Sequence, residues 1–134
     1  MKTIYRYVIP YILSVALIGI FGLPLGCGGD GTEADEQGVG AECESVDDCD
    51  EGQECLAFKG GYCGIEDCVN DDDCLDGSLC VAHTDGTDYC FLVCDDKSDC
   101  NINRGDDVES NCSANIDFVE THPNTKACVP PSAT

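Results

Sequence analysis

The spacing of the cysteines constrains this chain more than any other feature. Thirteen cysteines occur in 134 residues, and from Cys43 onward they fall into three sets of four. The first set is Cys43, Cys49, Cys55 and Cys63; the second is Cys68, Cys74, Cys80 and Cys90; the third is Cys94, Cys100, Cys112 and Cys128. Five residues separate the first two cysteines in every set, and five also separate the second from the third in the first two sets. Other residues keep step. Asp48, Asp73 and Asp99 precede the second cysteine, Gly52 and Gly77 follow it by three places, and Tyr62 and Tyr89 precede the fourth. Spacing and residue type recurring together at about 26 residues mark tandem modules, here 43–67, 68–93 and 94–128. The third copy diverges: Asn103 stands where glycine is expected, a longer acidic loop leads to Cys112, and Ala127 replaces the tyrosine.

Between the cysteines the apolar stretches are only two to four residues long, such as Leu56-Ala57-Phe58 and Phe91-Leu92-Val93, and no window sustains a helical period. The large apolar side chains available for a core include Leu56, Phe58, Tyr62, Ile65, Leu75, Leu79, Tyr89, Phe91, Leu92, Ile116 and Phe118. A core that thin needs covalent help. Six disulfides over short loops would contribute about 18 kcal/mol at roughly 3 kcal/mol each, more than the usual 5–15 kcal/mol net stability of a domain. Glu51-Gly52, Asp76-Gly77 and Asp85-Gly86 read as turns. The expected fold is therefore a small disulfide-rich one, mostly irregular, with short β-strand pairs, turns and three tandem four-cysteine modules. A single helical turn is expected at the acid-rich segments before the second cysteines. Zinc is the rival use of cysteine, but structural zinc favours ligand pairs two to four residues apart. Only Cys63/Cys68 and Cys90/Cys94 approach that spacing. Connectivity stays open, since four cysteines pair in three ways and the sets could exchange partners.

The first 26 residues have a different character. Met1 to Val8 carries Lys2 and Arg6 without an acid, and an apolar run from Tyr11 to Leu23 follows. That run is short for a bilayer span, which wants about 20 residues, and fits a secretory signal. It ends in Leu23-Pro24-Leu25-Gly26-Cys27. This small residue followed by cysteine resembles the lipobox of bacterial lipoproteins. The resemblance implies a diacylglyceryl group on Cys27, cleavage after Gly26, an oxidising compartment beyond it, and outer-membrane sorting, because Gly28 rather than aspartate follows. Two or more acyl chains anchor durably. The segment 27–42 holds one valine and no aromatic residue, and is expected to be a disordered acidic tether. Residues 129–134 are expected to be a flexible tail.

The repeats run Cys43-Glu-Ser-Val-Asp-Asp-Cys49-Asp-Glu-Gly-Gln-Glu-Cys55 and Cys68-Val-Asn-Asp-Asp-Asp-Cys74-Leu-Asp-Gly-Ser-Leu-Cys80, each ending in Tyr-Cys. The pattern resembles the N-terminal cysteine-rich module of Dickkopf-type secreted proteins and related repeats in bacterial surface lipoproteins. The resemblance covers roughly Cys43 to Cys100 and implies the scaffold, with no signalling role carried over.

Charge narrows the partners. The chain holds 27 acids and 6 bases, a formal net charge of -21. Lys2 and Arg6 are the only bases before Cys27, so Lys59, Lys97, Arg104 and Lys126 alone remain beyond it. Such a chain repels nucleic acid, and its expected partners are an envelope protein or a cationic ligand, with the membrane reached through the lipid. Calcium is a candidate cofactor, because Asp48, Asp50, Asp71, Asp73 and Asp76 cluster beside turns, although the EF-hand register is missing. Solvated acidic loops are the plainer reading. Nothing points to an enzyme: His83 and His122 lie in different repeats, and no Gly-x-Ser-x-Gly elbow occurs. Arg104-Gly105-Asp106 matches an integrin-binding tripeptide and Asn111-Cys112-Ser113 a glycosylation acceptor, and both read as chance in an acidic loop. A protease-inhibitor scaffold is a further alternative, with Lys59 in the loop Ala57 to Tyr62 as its reactive residue.

The mature protein should therefore gain twelve hydrogens on reduction and carry its lipid increment on the thirteenth cysteine, Cys27. Intact-mass spectrometry before and after reduction reads both, and a free thiol at Cys27 would refute the lipid assignment.

Overall fold

In the computed structural model, which describes residues 31–133, the cysteines pair in the same way in every module. The first joins the third and the second joins the fourth: Cys43–Cys55 with Cys49–Cys63, Cys68–Cys80 with Cys74–Cys90, and Cys94–Cys112 with Cys100–Cys128. Each module also builds an antiparallel hairpin whose strands present the third and fourth cysteines directly opposite one another. In the first module β1 (Glu54–Cys55) pairs with β2 (Cys63–Gly64), Cys55 facing Cys63. In the second, β3 (Ser78–Ala82) pairs with β4 (Asp88–Leu92), Cys80 facing Cys90. In the third, β5 (Asn111–Ser113) pairs with β7 (Ala127–Val129), Cys112 facing Cys128. Between β5 and β7 the chain makes one more short strand, β6 (Asp117–Phe118), which leaves its own module and pairs with Val81 and Ala82 of β3.

Each hairpin is preceded by one 3₁₀ turn, at Val46–Asp48, Asp71–Asp73 and Asp99–Asn101. These are the single helical turns expected before the second cysteines. The repeated glycines follow: Gly52 and Gly77 take φ of 91° and 95°, a region that costs an L side chain and suits glycine. Asn103 does not need that conformation, because the third turn continues through Ile102 in right-handed backbone.

The modules do not stand as separate beads. One hydrophobic cluster takes Leu56, Phe58 and Tyr62 from the first module, Val81, Tyr89, Phe91 and Leu92 from the second, and Cys100, Ala127 and Cys128 from the third. Tyr62 is fully buried, its ring 5.3 Å from that of Phe91 and 6.2 Å from that of Phe58, and its hydroxyl oxygen accepts the Leu92 N–H at 3.0 Å. Burial pushes the Tyr62 phenol well above its ordinary range. Ala127, in the place of the tyrosine in the third copy, lies wholly buried and bridges to Val93.

Two segments differ from expectation. The portion 31–42 of the acidic stretch is ordered rather than a disordered tether. Thr32 and Asp35 cap a short helix α1 (Glu33–Glu36) reciprocally, Ala34 is fully buried, and Val39 is nearly so. Ala34 N–H donates to the Asp76 carbonyl at 2.8 Å, and Gly40 N–H to the Cys63 carbonyl at 2.9 Å. Thr32 lies so close to Gly77 that a β-carbon there would stand 1.9 Å from its hydroxyl oxygen. The segment packs through small residues and backbone hydrogen bonds, which a search for large apolar side chains does not register. The expected flexible tail is likewise held as far as Ser132: Val129 closes β7, Phe58 bridges to Ser132, and the Pro131 carbonyl accepts the Lys59 N–H. The signal segment 1–26 and Cys27 lie outside the described residues. No helix among the described residues is long and apolar enough to cross a membrane.

Arg104 ties the pieces together. It comes from the acidic loop of the third module and is 8% exposed. Its Nη1 donates to the carbonyls of Gly40 and Gly61, Nη2 to that of Lys59 and Nε to that of Val108, all within 3.0 Å. The guanidinium also lies 5.9 Å from the centre of the Tyr62 ring. Removing it strands four carbonyls, so Arg104→Ala should cost about 3 kcal/mol, and lysine, lacking the planar fork, should recover little of it. Denaturant unfolding of both variants checks this; a rescue by lysine to within 0.5 kcal/mol, roughly the noise of such comparisons, would show that charge alone suffices.

Candidate functional site

The repeated aspartates have a structural occupation. One carboxylate oxygen of Asp48 accepts the N–H groups of Glu44 and Ser45 at 2.9 and 3.0 Å. Asp73 does the same for Val69 and Asn70, and Asp99 for Asp95 and Asp96. Each closes the loop just after the first cysteine of its module, which explains why aspartate recurs at that position. Hydrogen bonds from Glu44 and then Ser45 hold the Asp48 carboxyl below its ordinary value.

The five calcium candidates are not gathered into one site. Asp48 and Asp50 belong to the first module and Asp71, Asp73 and Asp76 to the second, while Asp48 and Asp73 spend a carboxylate oxygen on backbone N–H groups. Among the described residues, the groups of three possible ligands that converge within 4.8 Å are cysteines already joined in disulfides: Cys43/Cys49/Cys63, Cys68/Cys74/Cys90 and Cys94/Cys100/Cys128. Thiolate zinc ligation is not open to sulfurs so bonded. Asp71 has a separate role. Its Oδ1 accepts the Cys80 N–H at 3.0 Å, and its Oδ2 lies 2.6 Å from His122 Nε2, so it fastens the third module to the second. Burial pushes the Asp71 carboxyl up, but the Cys80 N–H and His122 together hold it below the ordinary value. The His122 ring also packs edge-on against Phe118.

Asp71, Asp72, Asp76 and Glu33 line a groove of about 500 Å³ whose apolar lining includes Leu75, Leu79 and Val93. This is the largest of the described cavities that the second module forms with α1, and it carries no base. A second hollow of about 380 Å³, lined by Glu42, Glu44 and Asp48, is also acidic.

The bases are spent inside the fold. Lys59 Nζ donates to the Asp107 carbonyl, Lys126 Nζ to the Asp95 carbonyl, and Arg104 to its four carbonyls. Lys97 alone of these meets a carboxylate, Glu109. The tripeptide Arg104-Gly105-Asp106 thus buries its arginine, the group a receptor would have to reach. The candidate inhibitor loop is held from both sides, since the Lys59 N–H is bonded to Pro131 and its carbonyl to Arg104. Cys112 of Asn111-Cys112-Ser113 is bonded to Cys94. Ser78 is buried with its hydroxyl on the Leu75 carbonyl. His83 lies under the β3–β4 turn, its ring edge-on to Phe58, Tyr89 and Phe91.

Arg104 and the Asp71–His122 pair are the residues that sequence reading missed. A single arginine in an acidic loop, with only three other bases beyond Cys27, was the available signal. The second pair joins positions 51 residues apart and leaves no local pattern. Comparison with known proteins returns nothing: no family model, no curated protein and no solved structure matches the chain.

The lowered carboxyls set an acid limit. A carboxyl that titrates lower in the folded state stabilises above its unfolded pKa, and the contribution is lost as pH falls through the folded value. For Asp48 and Asp96, the latter lowered chiefly by Ser98, loss is expected below pH 3.8. Denaturant midpoints measured from pH 5 to about pH 2 should fall less steeply for Asp48→Asn than for the unaltered chain; parallel slopes would remove Asp48 from the account.

Proposed function

We propose that this is a lipid-anchored, disulfide-stapled extracytoplasmic lipoprotein of the bacterial envelope, held at the outer membrane through Cys27, with a binding rather than catalytic role toward a cationic partner. The observation that carries the reading is the state of its bases. All four beyond Cys27 are engaged within the chain, three of them on carbonyls, so the 27 acids have almost no internal cations to meet. A surface of that kind draws cations from outside and repels copies of itself. The acid-rimmed groove offers an apolar floor for the stem of a lysine or arginine and carboxylates for its head.

The lipid part rests on the lipobox-like Leu23-Pro24-Leu25-Gly26-Cys27 and on the arithmetic of the cysteines, since twelve are paired with each other and Cys27 is left over. Only Gly28, Gly29 and Asp30 separate Cys27 from the described fold. At roughly 3.5 Å per residue, four residue steps reach about 14 Å at most, so a lipid on Cys27 would keep the modules close to the bilayer rather than on a long leash.

Two measurements test the reading. Full-length protein expressed with labelled fatty acid should be labelled and membrane-bound, and Cys27→Ser should be unlabelled and released. Isothermal titration with a lysine-rich peptide should give an affinity that falls at least tenfold between 50 and 500 mM salt, as screening requires. An unlabelled soluble protein overturns the anchor. Salt-insensitive or absent peptide binding overturns the cationic partner, and a melting temperature raised by calcium alone would favour divalent-cation binding instead.

A further inference from the structure

A further hollow, open to solvent on one side, lies where the second module meets the third. It has a volume of about 310 Å³, and Val81, Ile116, Val129 and Pro130 form its apolar walls, with His83 and Asp117 among its polar groups. His83, Thr84 and Ser132 are shared with an adjoining hollow of about 430 Å³ that opens past Phe58 and Asp85. Three stretches of chain therefore build one continuous site: the end of β3, the turn from β5 into β6, and the C-terminal strap. A junction between modules is a preferred place for a small-molecule site, and the volume is at the lower end of the usual range.

His83 is the feature that packing alone leaves unexplained. Its ring is wedged among Phe58, Tyr89 and Phe91 at centroid distances of 5.6, 5.7 and 6.0 Å. Nδ1 lies 3.0 Å from Asp85 Oδ2, yet it is buried without a directed hydrogen bond, so proximity there has not become alignment. Asp85 is itself fixed by the Thr87 N–H at 3.0 Å and the Tyr89 hydroxyl at 3.1 Å. A polar group so confined and incompletely partnered beside a cavity is suited to a ligand that draws the ring into line.

The geometry points to a binding site for a small aliphatic ammonium compound, its hydrocarbon body between Val81, Ile116 and Pro130 and its charged head between Asp117 and the His83 imidazole. The lining has a carboxylate and neither lysine nor arginine, so an anionic head is disfavoured, and the apolar walls ask for a hydrocarbon body rather than a bare metal ion. The site is distinct from the acid-rimmed groove and needs neither the lipid nor a partner protein.

The test uses the full chain at pH 8, with NMR detection of the His83 ring and the Asn115 amide. Hexylammonium should shift both saturably. Hexanol should bind at least tenfold more weakly, Asp117→Asn should weaken hexylammonium about tenfold, and Asp47→Asn, at an exposed acid outside both cavities, should leave it unchanged. Equal binding of hexanol and hexylammonium overturns the ammonium assignment. Equal loss in Asp117→Asn and Asp47→Asn overturns the site in favour of a diffuse acidic field, and no saturable shift at His83 overturns it altogether. Because peptide binding and fatty-acid labelling are read separately, failure here leaves the proposed function standing, and the reverse also holds.

Discussion

Two disulfides over one hairpin set the terms for each module. The third and fourth cysteines face each other across the strands, and the first and second bond to them in order. Side chains alternate faces along a strand, so a one-residue slip in the hairpin would carry one cysteine of the facing pair to the wrong side. The bridges thereby fix register in strands of two to five residues, of which those of the first and third modules are far too short to hold it by hydrogen bonds alone. They also bring the first, second and fourth sulfurs within 4.8 Å of one another in all three modules, the same arrangement three times over. The aspartate before the second cysteine completes the unit by tying down the backbone that the first cysteine must leave.

The third module keeps that unit while its loops grow. Its bridges span 18 and 28 residues, against 12 and 16 in the second. Lengthening a loop is cheap, since each doubling adds only about 0.6 kcal/mol of closure entropy. The added residues then do what the compact copies cannot. One insertion delivers Arg104 to carbonyls of the first module and of the N-terminal segment; the other lays β6 along β3 and brings His122 to Asp71. Divergence from the repeat and cohesion of the whole fold are the same set of changes.

What could be read from sequence follows this division. The modular framework was legible because the first two modules are local: the four cysteines of each, with Asp48 or Asp73 and Gly52 or Gly77, lie within 23 residues and recur. The pairing order was not legible, because spacing leaves several connectivities open and only the facing of Cys55 with Cys63 and its equivalents selects one. The shared core was half visible. Phe58, Tyr62, Tyr89 and Phe91 announce themselves by size, but their convergence across modules does not, and Ala34 and Val39 are too small to stand out. The same limit governs the candidate sites. The acids at Asp71 and Asp76 could be listed as ligands from composition, yet whether a carboxylate is free or committed to a backbone N–H depends on a turn geometry that sequence implies only loosely.

Each base beyond Cys27 is engaged within the chain, Arg104 in the interior and the three lysines at the surface. An acidic protein ordinarily softens its self-repulsion with surface lysines paired to neighbouring carboxylates, and such pairs contribute little individually. Here Lys59 and Lys126 each bond to one carbonyl instead, and Arg104 serves four at once, joining the third module to the first and to the N-terminal segment. The repulsion among the remaining acids is then opposed by covalent bridges rather than by counter-charges, and the bridges do not titrate or screen. A fold stapled in this way can carry a dense negative surface without loosening, which a conventional core of this size could not sustain.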